Sequence, residues 1–110
     1  MEHKYGTFTP EQLSWQKKSL HRAIFWLLLY KDPQISFRYR HVDFNKYFTN
    51  LMLRINGLSQ LLFNPPQVVT LLSVLEAAFV ESQKENFNFQ QYRKLILDAQ
   101  SLVDKIEEVD

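Results

Sequence analysis

Phe87-Asn88-Phe89-Gln90-Gln91-Tyr92 reads as the opening of a helix. An asparagine oxygen at the cap accepts from the free N–H groups of a first turn, and a glutamine three positions on can close the capping box. Phe87 and Tyr92 stand at the two positions of a hydrophobic staple. The same grammar recurs upstream. Phe8-Thr9-Pro10 is followed by Gln12 and Leu13, and Phe63-Asn64-Pro65 by Gln67 and Val68, while Val42-Asp43 is a plainer version. Proline at a first helical position suits a site where the backbone N–H is unpaired anyway. Each opening leads into apolar residues spaced by three and four, so the chain is expected to be all-α, an antiparallel four-helix bundle.

The expected helices run over about 10–31, 44–63, 65–84 and 89–108 of a single domain spanning 1–110, with a leader at 1–8 and a loop at 32–42. Asp32-Pro33 stops the first, because proline disfavours a helical residue before it. Its core stripe is Leu13, Leu20, Ile24, Leu27 and Leu28; Trp15, Phe25, Trp26 and Leu29 widen the apolar surface beyond that stripe. Such a helix is either central or shares a face with a partner. Helix two buries Phe44, Phe48, Leu51, Ile55, Leu58 and Leu62; Gly57 permits a close contact or a bend there, or is simply tolerated. Helix three uses Val68, Leu71, Leu72, Leu75, Ala78 and Phe79, and helix four Leu95, Ile96, Ala99, Leu102, Val103 and Ile106. Links of about three residues between helices two, three and four favour antiparallel neighbours. The long connection at 32–42 is where function tends to sit.

Sixteen aromatics and 45% hydrophobic residues supply a core without metal or disulfide, and with no cysteine there is no thiolate chemistry. The longest apolar run, Ala23–Tyr30, has eight residues, against the roughly 20 of a membrane-spanning helix. A polar N-terminus without a signal-peptide pattern adds to an expectation of a cytosolic protein, able still to act at a membrane surface. Net charge is +1, yet residues 1–55 carry nine Lys/Arg against four Asp/Glu, and residues 56–110 carry four against eight. The simplest expectation is that the two halves attract each other across the bundle.

No enzyme is expected. His3, His21 and His41 share no metal-ligand spacing, and no glycine-rich phosphate loop or nucleophile constellation is present. Glu81 with Glu85 and Asp104 with Glu108 are carboxylates one turn apart, expected as solvated charge near helix ends; Glu76 is expected at the edge of a stripe. No cofactor follows. Phe37-Arg38-Tyr39-Arg40-His41 is the most distinctive surface segment. The plain expectation is that Phe37 and Tyr39 lie over the bundle end while the arginines stay wet. Protein contact comes next, since Tyr and Arg are enriched at hot spots. Nucleic acid comes last, because no basic stripe elsewhere supports it. Phe37, Arg38, Tyr39 and Arg40, with Arg93 and Lys105 of helix four, form the candidate partner surface.

Asn64-Pro65-Pro66-Gln67-Val68-Val69, then Leu72, Leu75 and Ala78, then Phe87-Asn88-Phe89-Gln90-Gln91-Tyr92 with Leu95-Ile96, resembles the enterocin A-type immunity proteins of pediocin-like bacteriocins. Leu27-Leu28-Leu29-Tyr30-Lys31-Asp32-Pro33-Gln34-Ile35 looks like the end of that family's first helix. The resemblance implies a cytosolic, non-catalytic antiparallel four-helix bundle that protects a producer cell from its own peptide. It implies as partner the bacteriocin-bound mannose-phosphotransferase permease at the inner membrane face, with specificity mainly in the C-terminal half. A small helical adaptor, monomeric or homodimeric, is the alternative. A nucleic-acid accessory using Arg38, Arg40, Lys17, Lys18 and Arg22 is the third.

Overall fold

The computed structural model describes residues 2–3, 6–7, 9–61 and 66–106. Helices α1 (Pro10–Leu29), α2 (Phe44–Leu61), α3 (Pro66–Ser82) and α4 (Phe89–Asp104) form an antiparallel four-helix arrangement. Two short features accompany them. Glu2–His3 pairs antiparallel with Gly6–Thr7 in the segment expected as a plain leader, and a 3-10 turn covers Ser36–Tyr39.

The caps explain the helix starts. Thr9 makes the full box with Gln12, its hydroxyl accepting from the Gln12 N–H at 3.1 Å while its own N–H donates to Gln12 Oε1 at 2.9 Å. Asp43 Oδ1 accepts from the Lys46 N–H at 3.1 Å. Asn88 Oδ1 accepts from the Gln91 N–H at 3.2 Å, and the Phe87 and Tyr92 rings meet at 5.6 Å as the staple requires. The expected caps and staples at Phe8, Phe63, Asn64 and Pro65 lie outside the described residues. α1 ends at Leu29, two residues before Lys31, because the final turn tightens: the Lys31 N–H donates to Leu28 O and the Asp32 N–H to Leu29 O. α3 likewise ends at Ser82 in a tightened turn, with the Lys84 N–H donating to Glu81 O.

Polar contacts fix the registers. Down the α1–α4 seam, the Tyr92 hydroxyl donates to Leu27 O at 2.7 Å, Gln100 Nε2 to His21 O at 3.2 Å, and Lys17 Nζ to Asp104 O and Ile106 O at 3.1 and 3.0 Å. Falling numbers on one helix meet rising numbers on the other, the signature of antiparallel packing. On the α1–α2 seam the Tyr47 hydroxyl donates to Ala23 O and Arg54 donates to Gln16 Oε1 and Ser19 Oγ. Asn45 and Gln83 exchange side-chain hydrogen bonds where α2 begins and α3 ends.

The core is the one the spacing anticipates. Leu13, Leu20, Ile24 and Leu27 of α1 meet Phe48, Leu51, Ile55 and Leu58 of α2, Val68, Leu71, Leu75 and Ala78 of α3, and Tyr92, Ile96, Ala99 and Val103 of α4, with Ile106 just beyond. Leu28, Phe44, Leu72, Phe79, Leu95 and Leu102 are half-buried at its margin, and Leu62 lies outside the described residues. Among the described residues no buried side-chain nitrogen or oxygen lacks a partner. Gly57 marks neither a bend nor a close approach: a Cβ there would meet nothing within 4 Å. Gly57→Ala is therefore expected to stabilise the protein by about 0.5–1 kcal/mol, by narrowing the unfolded ensemble and favouring helix. A urea titration that shows a loss instead would mean that α2 is not continuous through that position.

Candidate functional site

The connection between α1 and α2 is anchored by aromatic rings. Tyr39 packs edge-on against Trp26 and Tyr30, at 5.8 and 5.2 Å between centroids, and Tyr30 meets Tyr47 at 5.3 Å. Burial raises the Tyr47 pKa, with the Tyr30 phenol adding to the rise and Arg54 opposing it. This inward use of Tyr39 is what the plain expectation held. Arg38, Arg40 and His41 are exposed around it, and the Phe37 side chain lies outside the described residues. Trp26 belongs to this cluster and is half-buried.

Of the helix-four candidates, Arg93 opens the second turn and Lys105 caps the far end, both exposed. Twelve residues of helix separate them, about 18 Å at 1.5 Å per residue. Because α4 runs antiparallel to α1, Arg93 shares the bundle end with the 36–41 segment while Lys105 lies at the opposite end. The six candidates therefore do not form one site.

Lys31 follows α1, with its ammonium 4.5 Å from the Phe44 ring centroid and 5.8 Å from that of Phe87. A cation over aromatic faces is held electrostatically, and here it joins α1, α2 and the α3–α4 link. Burial lowers its pKa.

Glu81 overturns the expectation of solvated charge. It is 6% exposed. One carboxylate oxygen accepts from Lys84 Nζ at 2.8 Å and the other from the Asn88 N–H at 3.3 Å. Gln91 was expected to serve that N–H and close the box. A charged carboxylate is the stronger acceptor, and it lies favourably at a helix N-terminus. The bond to Lys84 holds the Glu81 pKa below its ordinary value, helped by the Asn88 N–H and opposed by desolvation. A depressed folded pKa means that the unfolded chain binds the proton more tightly, so the stabilisation is present above the ordinary carboxylate pKa and fades as pH falls through the folded value. Thermal melts from about pH 7 down to about pH 3 should show this loss, and Glu81→Gln should flatten it. An unchanged acid limb in the variant would remove Glu81 from that role. Glu85 and Glu76 are exposed, and Glu108 lies outside the described residues.

The outer face of α1 carries the least expected feature. Trp15 is 66% and Phe25 45% exposed. Lys18 and Arg22 lie exposed between them. The attraction expected between basic and acidic halves is hardly realised. Among the described residues the one acid–base contact between side chains of two helices is His21 Nε2 to Asp104 Oδ2 at 3.8 Å, an ion pair only with a protonated imidazole, and Lys17 is spent on backbone carbonyls. Among the described residues no side-chain hydrogen bond or ion pair engages Lys18 or Arg22.

Open grooves flank the helices. One of about 420 Å³ lies between α2 and α3, lined by Met52, Leu53, Leu72 and Phe79 with Glu76 at its edge. Another of about 590 Å³ runs beside α1, lined by Lys18, His21, Arg22, Phe25 and Gln100. Among the described residues no three His, Asp or Glu side chains gather as a metal site, and no helix is long and apolar enough to cross a membrane. In comparisons with known proteins, no family model, no curated protein and no solved structure matches this chain.

Proposed function

We propose that the protein is a non-catalytic binding bundle of the bacteriocin-immunity type, acting from the cytoplasm on the bacteriocin-bound permease. The observation that carries this is the closed antiparallel four-helix core with arginines exposed around an aromatic anchor at one end: Tyr39 is pinned by Trp26 and Tyr30 while Arg38, Arg40 and Arg93 remain exposed. A rigid helical platform with Tyr and Arg at its rim suits protein contact, because little ordering is needed on binding. The motif resemblance of the second half supplies the class of partner.

The test is expression in a bacterium sensitive to pediocin-like bacteriocins, followed by challenge with a panel of the peptides. Protection against one or a few is the expected result, and exchange of α4 should move the specificity. Uniform killing of cells that hold the soluble protein would contradict the proposal. A second reading, a small helical adaptor or regulatory subunit, is favoured by the exposure of Trp15 and Phe25, which gives α1 apolar surface beyond the needs of its own core.

A further inference from the structure

We propose that the outer face of α1 is a docking surface for a bilayer containing anionic phospholipid. At 100° per residue, Trp15, Lys18, Arg22 and Phe25 fall within an arc of about 80°. The arc lies opposite Leu13, Leu20, Ile24 and Leu27, which are buried. Two cations with no side-chain partner among the described residues thus stand between two exposed aromatics on a 20-residue helix. Tryptophan and phenylalanine favour the boundary between headgroup and acyl chain, and each Lys or Arg near an anionic leaflet adds attraction. Leu97, 36% exposed, lies level with residues 22–24 of α1 in the register set by His21–Gln100 and Leu27–Tyr92, near the Phe25 end of the face.

The rest of the molecule agrees with this orientation. α2, beside α1, carries Lys46 and Arg54 and no acidic residue. α3 carries exposed Glu76 and no cation, its Glu81 being buried against Lys84, and it packs on α2 and α4. α4 is balanced, with Arg93 and Lys94 against Asp98 and Asp104, so the basic residues of α1 and α2 would face the leaflet and Glu76 would turn away. Glu11 is the one acidic residue on the arc, at its N-terminal end.

Other occupants fit less well. A second copy in antiparallel two-fold pairing about residue 20 would set Lys18 opposite Arg22 of its mate, and parallel pairing would set each cation against itself, so either brings four unpaired cations together. A nucleic-acid strand needs a track of phosphate contacts, whereas the arc offers two cations at the edge of one open groove. A broad anionic surface can meet both cations and both aromatics at once. The proposal sharpens the peripheral-membrane element of the immunity reading, yet its observations are separate, and either can fail while the other stands.

The test is co-sedimentation of the full chain with vesicles of phosphatidylcholine, with and without phosphatidylglycerol, at low and high salt. Binding is expected only with phosphatidylglycerol and should weaken with salt. The double variant Lys18→Glu/Arg22→Glu, checked for folding by circular dichroism, should lose affinity by about tenfold or more. Lys94→Glu/Lys105→Glu makes the same change in net charge at exposed sites elsewhere and should lose much less. Trp15→Ser should weaken binding and leave its salt dependence in place. No sedimentation at low salt, equal losses in both double variants, or binding of an oligonucleotide but not of vesicles would each overturn the proposal. Vesicle binding without protection in the bacteriocin challenge would sink the immunity reading alone.

Discussion

Truncating Tyr92 to alanine is expected to cost about 3–5 kcal/mol, a large share of the roughly 5–15 kcal/mol that holds a domain of this size together. Tyr92 is fully buried, and its ring meets those of Phe44, Phe87 and Phe89 with centroids 6.5, 5.6 and 6.4 Å away. Its hydroxyl serves Leu27 O, one of the last carbonyls of α1. The tightened final turn sends the Lys31 N–H to Leu28 O instead, so the Tyr92 hydroxyl takes the place of a missing helical donor. Tyr92→Phe keeps the ring and orphans that carbonyl, for an expected loss of about 1–3 kcal/mol. Urea unfolding of the two variants separates the contributions of ring and hydroxyl. A phenylalanine variant as stable as the parent would show that the Leu27 carbonyl finds another donor.

Phe48→Ala is the second large effect, again about 3–5 kcal/mol. Phe48 is fully buried and makes edge contacts with Phe44 at 5.6 Å and Phe79 at 5.1 Å. It anchors α2 to α3 near the end of the bundle where Asn45 and Gln83 also meet. α2 leans mainly on α3 and touches α1 sparsely, so few contacts compensate for a void there. Leu53, five residues on, is 65% exposed, and its truncation should stay within about 0.5 kcal/mol. Equal losses at the two positions would mean that Leu53 is covered in solution, by a second copy or a partner.

The parts of this fold that were legible in the sequence are those set by local chemistry. Thr9, Asp43 and Asn88 cap the helices they open because a side-chain oxygen and a free N–H three residues on need nothing from the rest of the chain. The buried positions followed from three-and-four spacing for the same reason. What the sequence concealed depends on contacts between distant residues. Burial of Glu81 follows from the α3–α4 link folding over it, which delivers the Asn88 N–H and displaces the Gln91 side chain from its expected role. The partnership of Tyr92 with Leu27 spans 65 positions, and local pattern carries no trace of it.

The candidate surface was legible only in part. Interleaved aromatic and basic residues at 37–41 announced themselves, and Tyr39 turned inward because Trp26 and Tyr30 offer faces at the end of α1. Lys105 was grouped with residues from which the length of α4 separates it. The α1 face was hidden by the opposite problem. Trp15 and Phe25 left open whether α1 is central or shares a face with a partner, and Lys18 and Arg22 belonged to a basic half expected to attract the acidic one. Periodicity places all four on one arc, but only the packed fold shows that among the described residues no acidic partner reaches them and that Trp15 and Phe25 stay exposed.

The central claim is that one copy closes its own core and leaves that α1 face open for a partner of another kind. Light scattering on the purified chain across a wide range of concentrations tests it most directly. A single species at the 13.2 kDa of one chain is the predicted result, unchanged by Trp15→Ser. A dimer that Trp15→Ser or Phe25→Ser splits into monomers would contradict the account, because the face would then be covered by a second copy.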